Sequence, residues 1–131
     1  MVQTIKIASI LQNIYEVENF LNGVFKDLAF SRKVYCKIYL AVTEAVNNAI
    51  LHGNKKDRSK FVTIIFYNNE DHFIVEVIDE GSGFEFDSIP DPREQINIRK
   101  ESGRGIFIMK QYADKVKFHK GGSTVQLKFN K

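Results

Sequence analysis

The sequence predicts an α+β fold in two layers, a mixed and mostly antiparallel sheet covered on one face by helices. Two observations predict it. Strand-like runs outnumber helix-like ones, and strands that follow one another in sequence are joined by turns too short for a crossover helix. The first two helical segments also carry an apolar stripe each, which a sheet face can bury.

Taken in order, VQTIKIAS at the N-terminus alternates at period two and reads as a strand. Asn13 to about Ala29 reads as an amphipathic helix, with Ile14, Val17, Phe20, Leu21, Val24 and Leu28 on one face. Ser31 is placed to cap the next helix, whose apolar set Val34, Ile38, Ala41, Val42, Ala45 and Ala49 recurs at helical spacing up to Gly53. FVTIIFYNN and HFIVEVID form a hairpin about Asn-Glu-Asp. A polar segment with both prolines, Pro90 and Pro92, runs on to Ser102. GIFIMKQYA then reads as a helix, and KVKFHK and STVQLKF as a closing hairpin about Gly121-Gly122. No repeat, low-complexity tract or linker divides the chain, so residues 1–131 are expected to form one domain.

With 131 residues, 44% of them hydrophobic, the chain is long enough to bury a core. No apolar run approaches the roughly 20 residues that span a bilayer, and the N-terminus lacks a signal-peptide pattern, so a soluble, cytoplasmic protein with no membrane partner is expected. The single cysteine, Cys36, excludes an intrachain disulfide and a cysteine-based zinc site, and its neighbours Tyr35 and Ile38 suggest a buried thiol. Charge is unevenly spread. Residues 1–92 hold 9 Lys/Arg against 13 Asp/Glu, and residues 93–131 hold 10 against 3, giving −4 and +7. No nucleic-acid motif accompanies the basic part, which is either solvated surface or a field that draws a small phosphorylated ligand.

Three clusters carry the chemistry. In EAVNNAILHGN, Glu44, Asn48 and His52 stand four apart and rise along one helix face, so that stripe meets either water or a ligand. VIDEGSGF puts Asp79 at the end of an apolar strand, followed by Gly81 and Gly83, where the chain turns and a ligand can approach. ESGRGIFIM puts Gly103 and Gly105 at a helix start, where free N–H groups and the helix dipole suit a phosphate. Each motif alone is no more than a turn or a wet surface; the three in this order make a site.

The ordered set resembles the GHKL (Bergerat) ATP-binding superfamily over nearly the whole chain, and within it the anti-sigma-factor serine/threonine kinases of bacterial sporulation and general stress responses. The resemblance implies ATP and Mg2+ as cofactors. It implies that Asn48 meets the metal, that Glu44 is the general base, and that Asp79 accepts a hydrogen bond from the adenine amino group. It gives Gly81 and Gly83 close approach to the nucleotide, Gly103 and Gly105 the phosphates, Thr124 a hold on the base, and Glu85 to Ser102 the role of a mobile ATP lid. Asn47 is adjacent to Asn48, and the four-residue step from Glu44 decides for Asn48. Arg99, Lys100 and Arg104 all lie in or beside the lid, and spacing does not choose among them as partner of the γ-phosphate. His52 is expected to pack beside the site or cap the helix end.

The implied function is an ATP-dependent protein serine/threonine kinase that acts as an anti-sigma factor and phosphorylates a small antagonist protein in a partner-switching system. A sigma factor is a further partner, a homodimer is the common family state, and nucleic acid is not contacted directly. The alternative is a nucleotide-gated switch protein that sequesters a partner with little or no phosphotransfer. Only the kinase requires a base, so Glu44 favours it. A detached histidine-kinase catalytic domain is disfavoured, because residues 1–29 hold no histidine and no long dimerising helical pair.

Overall fold

A computed structural model describes residues 2–28, 30–81 and 101–131. Strand β1, Val2–Ala8, leads through a short 3-10 turn into helix α1, Ile14–Asp27, and helix α2, Arg32–Asn48. The hairpin β2, Phe61–Asn68, and β3, His72–Ile78, follows; helix α3, Glu101–Tyr112, precedes the closing pair β4, Lys115–His119, and β5, Thr124–Asn130. The sheet order is β1-β2-β3-β5-β4. All four pairings are antiparallel, where the sequence had left room for a mixed sheet.

Period-two patterning decides which sheet face is dry. Val62, Ile64 and Phe66 of β2, Val75 and Val77 of β3, and Leu127 and Phe129 of β5 are buried with Val17, Leu21 and Val24 of α1 and Ile38, Val42 and Val46 of α2. The intervening strand positions, such as Lys6, Thr63 and Glu76, share the opposite face. At about 25 cal/mol per Å² of apolar surface, this shared core is the main term holding helices to sheet. Two tyrosines of α2 tie it to α1: Tyr39 donates to Glu18 Oε1 at 2.6 Å, and Tyr35 donates to Asn22 Oδ1.

The helix starts and turns follow their local chemistry. Ser31 Oγ accepts from Val34 N–H at 3.2 Å, the expected cap of α2. Asn69 Oδ1 accepts from the N–H groups of Asp71 and His72 and closes the first hairpin. Lys120, at φ 51°, and Gly121, at φ 67°, supply the left-handed residues of the second. Cys36 corrects the sequence reading: the thiol is exposed. It stands two residues from both Val34 and Ile38, a rotation of about 200° that carries it away from the buried stripe. Among the described residues no helix is long and apolar enough to cross a membrane.

Candidate functional site

The site forms where the C-terminal end of α2 meets the end of β3 and the start of α3. Helix α2 does not stop at Asn48. One π turn, Ala49–Gly53, continues it, closed by Asn54 N–H to Ala49 O and Lys56 N–H to Ile50 O, each 2.8 Å. π turns of this kind recur at functional sites because they shift the face a helix presents. Here the turn carries Gly53 against the carboxyl group of Asp79: a Cβ at Gly53 would lie 2.3 Å from Asp79 Oδ2. Gly81 closes on the same point, since its own Cβ would meet Gly53 O at 2.1 Å. Neither position has room for a side chain.

Asp79 is held from its backbone and from its side chain. Its N–H donates to Ser123 O at 2.8 Å, beside Thr124, which pairs with Ile78 in register and is 5% exposed. Its Oδ1 accepts from Gly81 N–H at 2.7 Å. Burial pushes the carboxyl above its usual range, and the Gly81 N–H and the charge of Lys60 pull it back. The carboxyl lines a hollow whose other walls include Val77, Met109, Phe118 and Val125, a largely apolar slot.

Asn48 lines that slot and also a larger hollow of about 490 Å³ beside it, together with Glu44, Asn47, His52, Arg104 and Gly105. Glu44 and Asn48 both lie against Gly105 of α3. A Cβ there would stand 2.9 Å from Asn48 Nδ2, 3.1 Å from Asn48 Oδ1 and 3.2 Å from Glu44 Oε2. Among the described residues Asn48 Nδ2 is buried without a hydrogen-bond partner, a condition that costs on the order of 1–3 kcal/mol unless something else meets the amide. An amide oxygen here is a hard donor of the kind that suits Mg2+. Burial raises the carboxyl of Glu44 above its usual range, and the guanidinium of Arg104 opposes that rise.

The structure therefore brings together Glu44, Asn48, Arg104 and Gly105 around the larger hollow, and Asp79, Gly81 and Thr124 at the slot or its edge. The backbone of Gly103 lies in the first turn of α3, which begins at Glu101; Gly105 is the fifth residue, past the four N–H groups that a helix leaves free. Its fit against Asn48 and Glu44 is a separate reason for glycine that spacing had not shown. His52 is exposed on the rim of the larger hollow. Gly83, Arg99, Lys100 and the expected lid from 85 to 100 lie outside the described residues; its last two residues, Glu101 and Ser102, open α3 instead. Sequence reasoning missed Asn54. It is 1% exposed and joins three strands, yet an asparagine after a helix-ending glycine reads as ordinary loop.

Fold and site together define an ATP-binding domain of the GHKL type. The model of the histidine kinase-like ATPase domain matches residues 7–129, and the chain belongs to that family. It is similar to proteins named serine-protein kinase RsbW. It is 30% identical to that of Oceanobacillus iheyensis over 105 residues, covering 76% of this chain and 66% of the relative. It is 30% identical to that of Bacillus subtilis over 117 residues, covering 83% and 73%, and 28% identical to one from Staphylococcus aureus over 115 residues, covering 82% and 72%.

Proposed function

We propose that this chain is a cytoplasmic, Mg2+-requiring serine/threonine protein kinase that transfers phosphate from ATP to a small antagonist protein. In the same proposal it acts as an anti-sigma factor in a partner-switching system, works as a homodimer, and holds a sigma factor as its second partner. The observation that carries the reading is the meeting of Glu44, Asn48 and Arg104 at Gly105, one wall away from the slot that holds Asp79. The names of the relatives support transfer to serine.

Each residue has a task that its surroundings suit. The Asp79 carboxylate accepts from the adenine amino group while Val77, Met109 and Val125 exclude water from the ring faces. Thr124 and the Gly81 backbone close the base side, and the first turn of α3, with Gly103, offers N–H groups to phosphate oxygens. Asn48 would hold Mg2+ through its amide oxygen. A metal held there would supply positive charge against the phosphates.

Glu44 takes the proton of the acceptor hydroxyl. The hydroxyl oxygen forms a bond to the γ-phosphorus, the bond from that phosphorus to the bridging oxygen breaks, and ADP leaves with the electron pair. Burial raises the proton affinity of Glu44, and the charge of Arg104 opposes that rise and favours the ionised base. Arg104 lines the same hollow, and Arg99 and Lys100 share its candidacy as partner of the γ-phosphate.

The test is transfer from γ-labelled ATP to an acceptor taken from the neighbouring reading frames. Label on a serine or threonine of that protein, dependent on Mg2+, is expected. Tight ATP binding with no label on any acceptor would replace the kinase by a nucleotide-gated switch.

A further inference from the structure

The geometry points to Asn54 as the residue that positions Asp79 for reading the base, so that adenine selectivity depends on a side chain that touches no nucleotide. The inference rests on the base-reading role proposed for Asp79 and adds the residue through which that role is set.

Asn54 uses its whole side chain. Nδ2 donates to Ser9 Oγ at 2.8 Å and to Phe61 O at 3.0 Å, and Oδ1 accepts from Glu80 N–H at 2.7 Å. The orientation of the amide is fixed by its partners, because a carbonyl can only accept and a backbone N–H can only donate. Ser9 Oγ passes the chain on, donating to Lys60 O at 2.8 Å. One amide thus joins the residue after β1, the first residue of β2 and the residue that follows Asp79. Its own backbone closes the π turn that begins one residue after Asn48.

The contact with Glu80 is the one that reaches the base site. The peptide between Asp79 and Glu80 has its N–H on Asn54, and the next N–H, of Gly81, is on Asp79 Oδ1. Gly53, the residue before Asn54, forms the wall against which the carboxyl rests. Moving the Glu80 N–H off Asn54 loosens the turn that aims the carboxyl, leaving Glu80 tied by its carboxylate on Phe61 N–H, while the strand pairings of β3 with β2 and β5 remain. The contacts with Ser9 and Phe61 hold strands, and they serve stability.

This division makes the two kinds of role separable. The readout is the ratio of dissociation constants for ITP and ATP, which differ in the 6-amino group that Asp79 would meet. Wild type should prefer ATP. Asn54→Ala should lower that preference by about tenfold or more, the scale of one charge-assisted hydrogen bond, chiefly by weakening ATP. Asn54→Asp, which keeps an acceptor for Glu80 N–H and loses both donors, should melt at lower temperature and keep the preference. Ser9→Ala should do the same.

A uniform weakening of both nucleotides in Asn54→Ala, with the ratio unchanged, would reduce Asn54 to a structural residue. Should that variant not fold, loss of the preference in folded Asn54→Asp or Ser9→Ala overturns the inference equally, and retention in both supports it. A wild type that binds ITP and ATP alike would remove the base-reading role of Asp79 itself; a selective wild type with a fully selective Asn54→Ala removes only this inference.

Discussion

Glu44 and Asp79 are both carboxyl groups whose burial raises their proton affinity, and the same shift has different consequences at the two positions. In the proposed role of Glu44 as general base, it sets the acid limb of the rate. A base must be ionised, so transfer should rise with pH through a limb placed above the usual carboxylate range. Arg104→Met removes the charge that favours the ionised form and should move that limb to higher pH in a pH–kcat profile; an unmoved limb would detach Arg104 from the base. For Asp79 the shift bears on stability. A pKa raised in the folded state gives stability that is full below the unfolded carboxylate pKa and is lost as pH rises through the folded one. Asp79→Asn should therefore raise the melting temperature of the nucleotide-free protein at neutral pH, with a smaller gain in acid, while weakening ATP binding. Higher stability with unchanged ATP affinity would contradict the role of the carboxylate. Glu44 and Asn48 were legible as neighbours because a step of four on a helix guarantees it. Asn54 was not, because its burial depends on three strands converging on it, and no local pattern encodes that. The exposed Cys36 shows the reverse error, since apolar neighbours in sequence are not neighbours on a helix face.

At the scale of elements, α3 is the part whose sequence and packing pull in different directions. Gly105 lies inside the helix, where alanine would be preferred by about 1 kcal/mol. The structure explains the glycine by the Asn48 amide and the Glu44 carboxylate pressed against it. Gly105→Ala should thus keep or raise the melting temperature while the Asn48 amide is pushed aside. Mg2+-dependent ATP affinity should fall by about tenfold, equivalent to ~1.4 kcal/mol, as measured by titration with and without the metal. Undiminished affinity would show that the close fit is incidental. The helices and strands themselves were readable from their periods, except that α3 starts at Glu101 and not at Gly105, and the cap of α2 was readable from Ser31. The order β1-β2-β3-β5-β4 was not, because turn lengths tell which strands are joined and leave open which edge the last hairpin adds to. The π turn was hidden for a similar reason: the apolar spacing of α2 continues smoothly into Ala49 and Ile50, and only the backbone bonds reveal the change.

Over the whole molecule, the basic excess of residues 93–131, 10 Lys/Arg against 3 Asp/Glu, lies in the part of the chain that contributes Arg104 to the site. Its field should favour the more highly charged nucleotide, so rising salt should weaken ATP more than ADP, by titration at ionic strengths on either side of the ~0.1 M at which the Debye length is about 10 Å. Equal losses would assign the charge to solvated surface. The sheet, the helices packed on it and the three glycine contacts bring Asp79, Asn48 and Glu44, the proposed base-reading carboxylate, metal-binding amide and general base, to adjoining hollows. The most direct test of that arrangement is to measure ATP binding and phosphoryl transfer on folded Glu44→Ala. Mg-ATP affinity should stay near that of wild type, because Asn48 and Asp79 remain, while transfer slows by about 10²-fold or more, the contribution of a positioned base. Transfer at the wild-type rate would contradict the account.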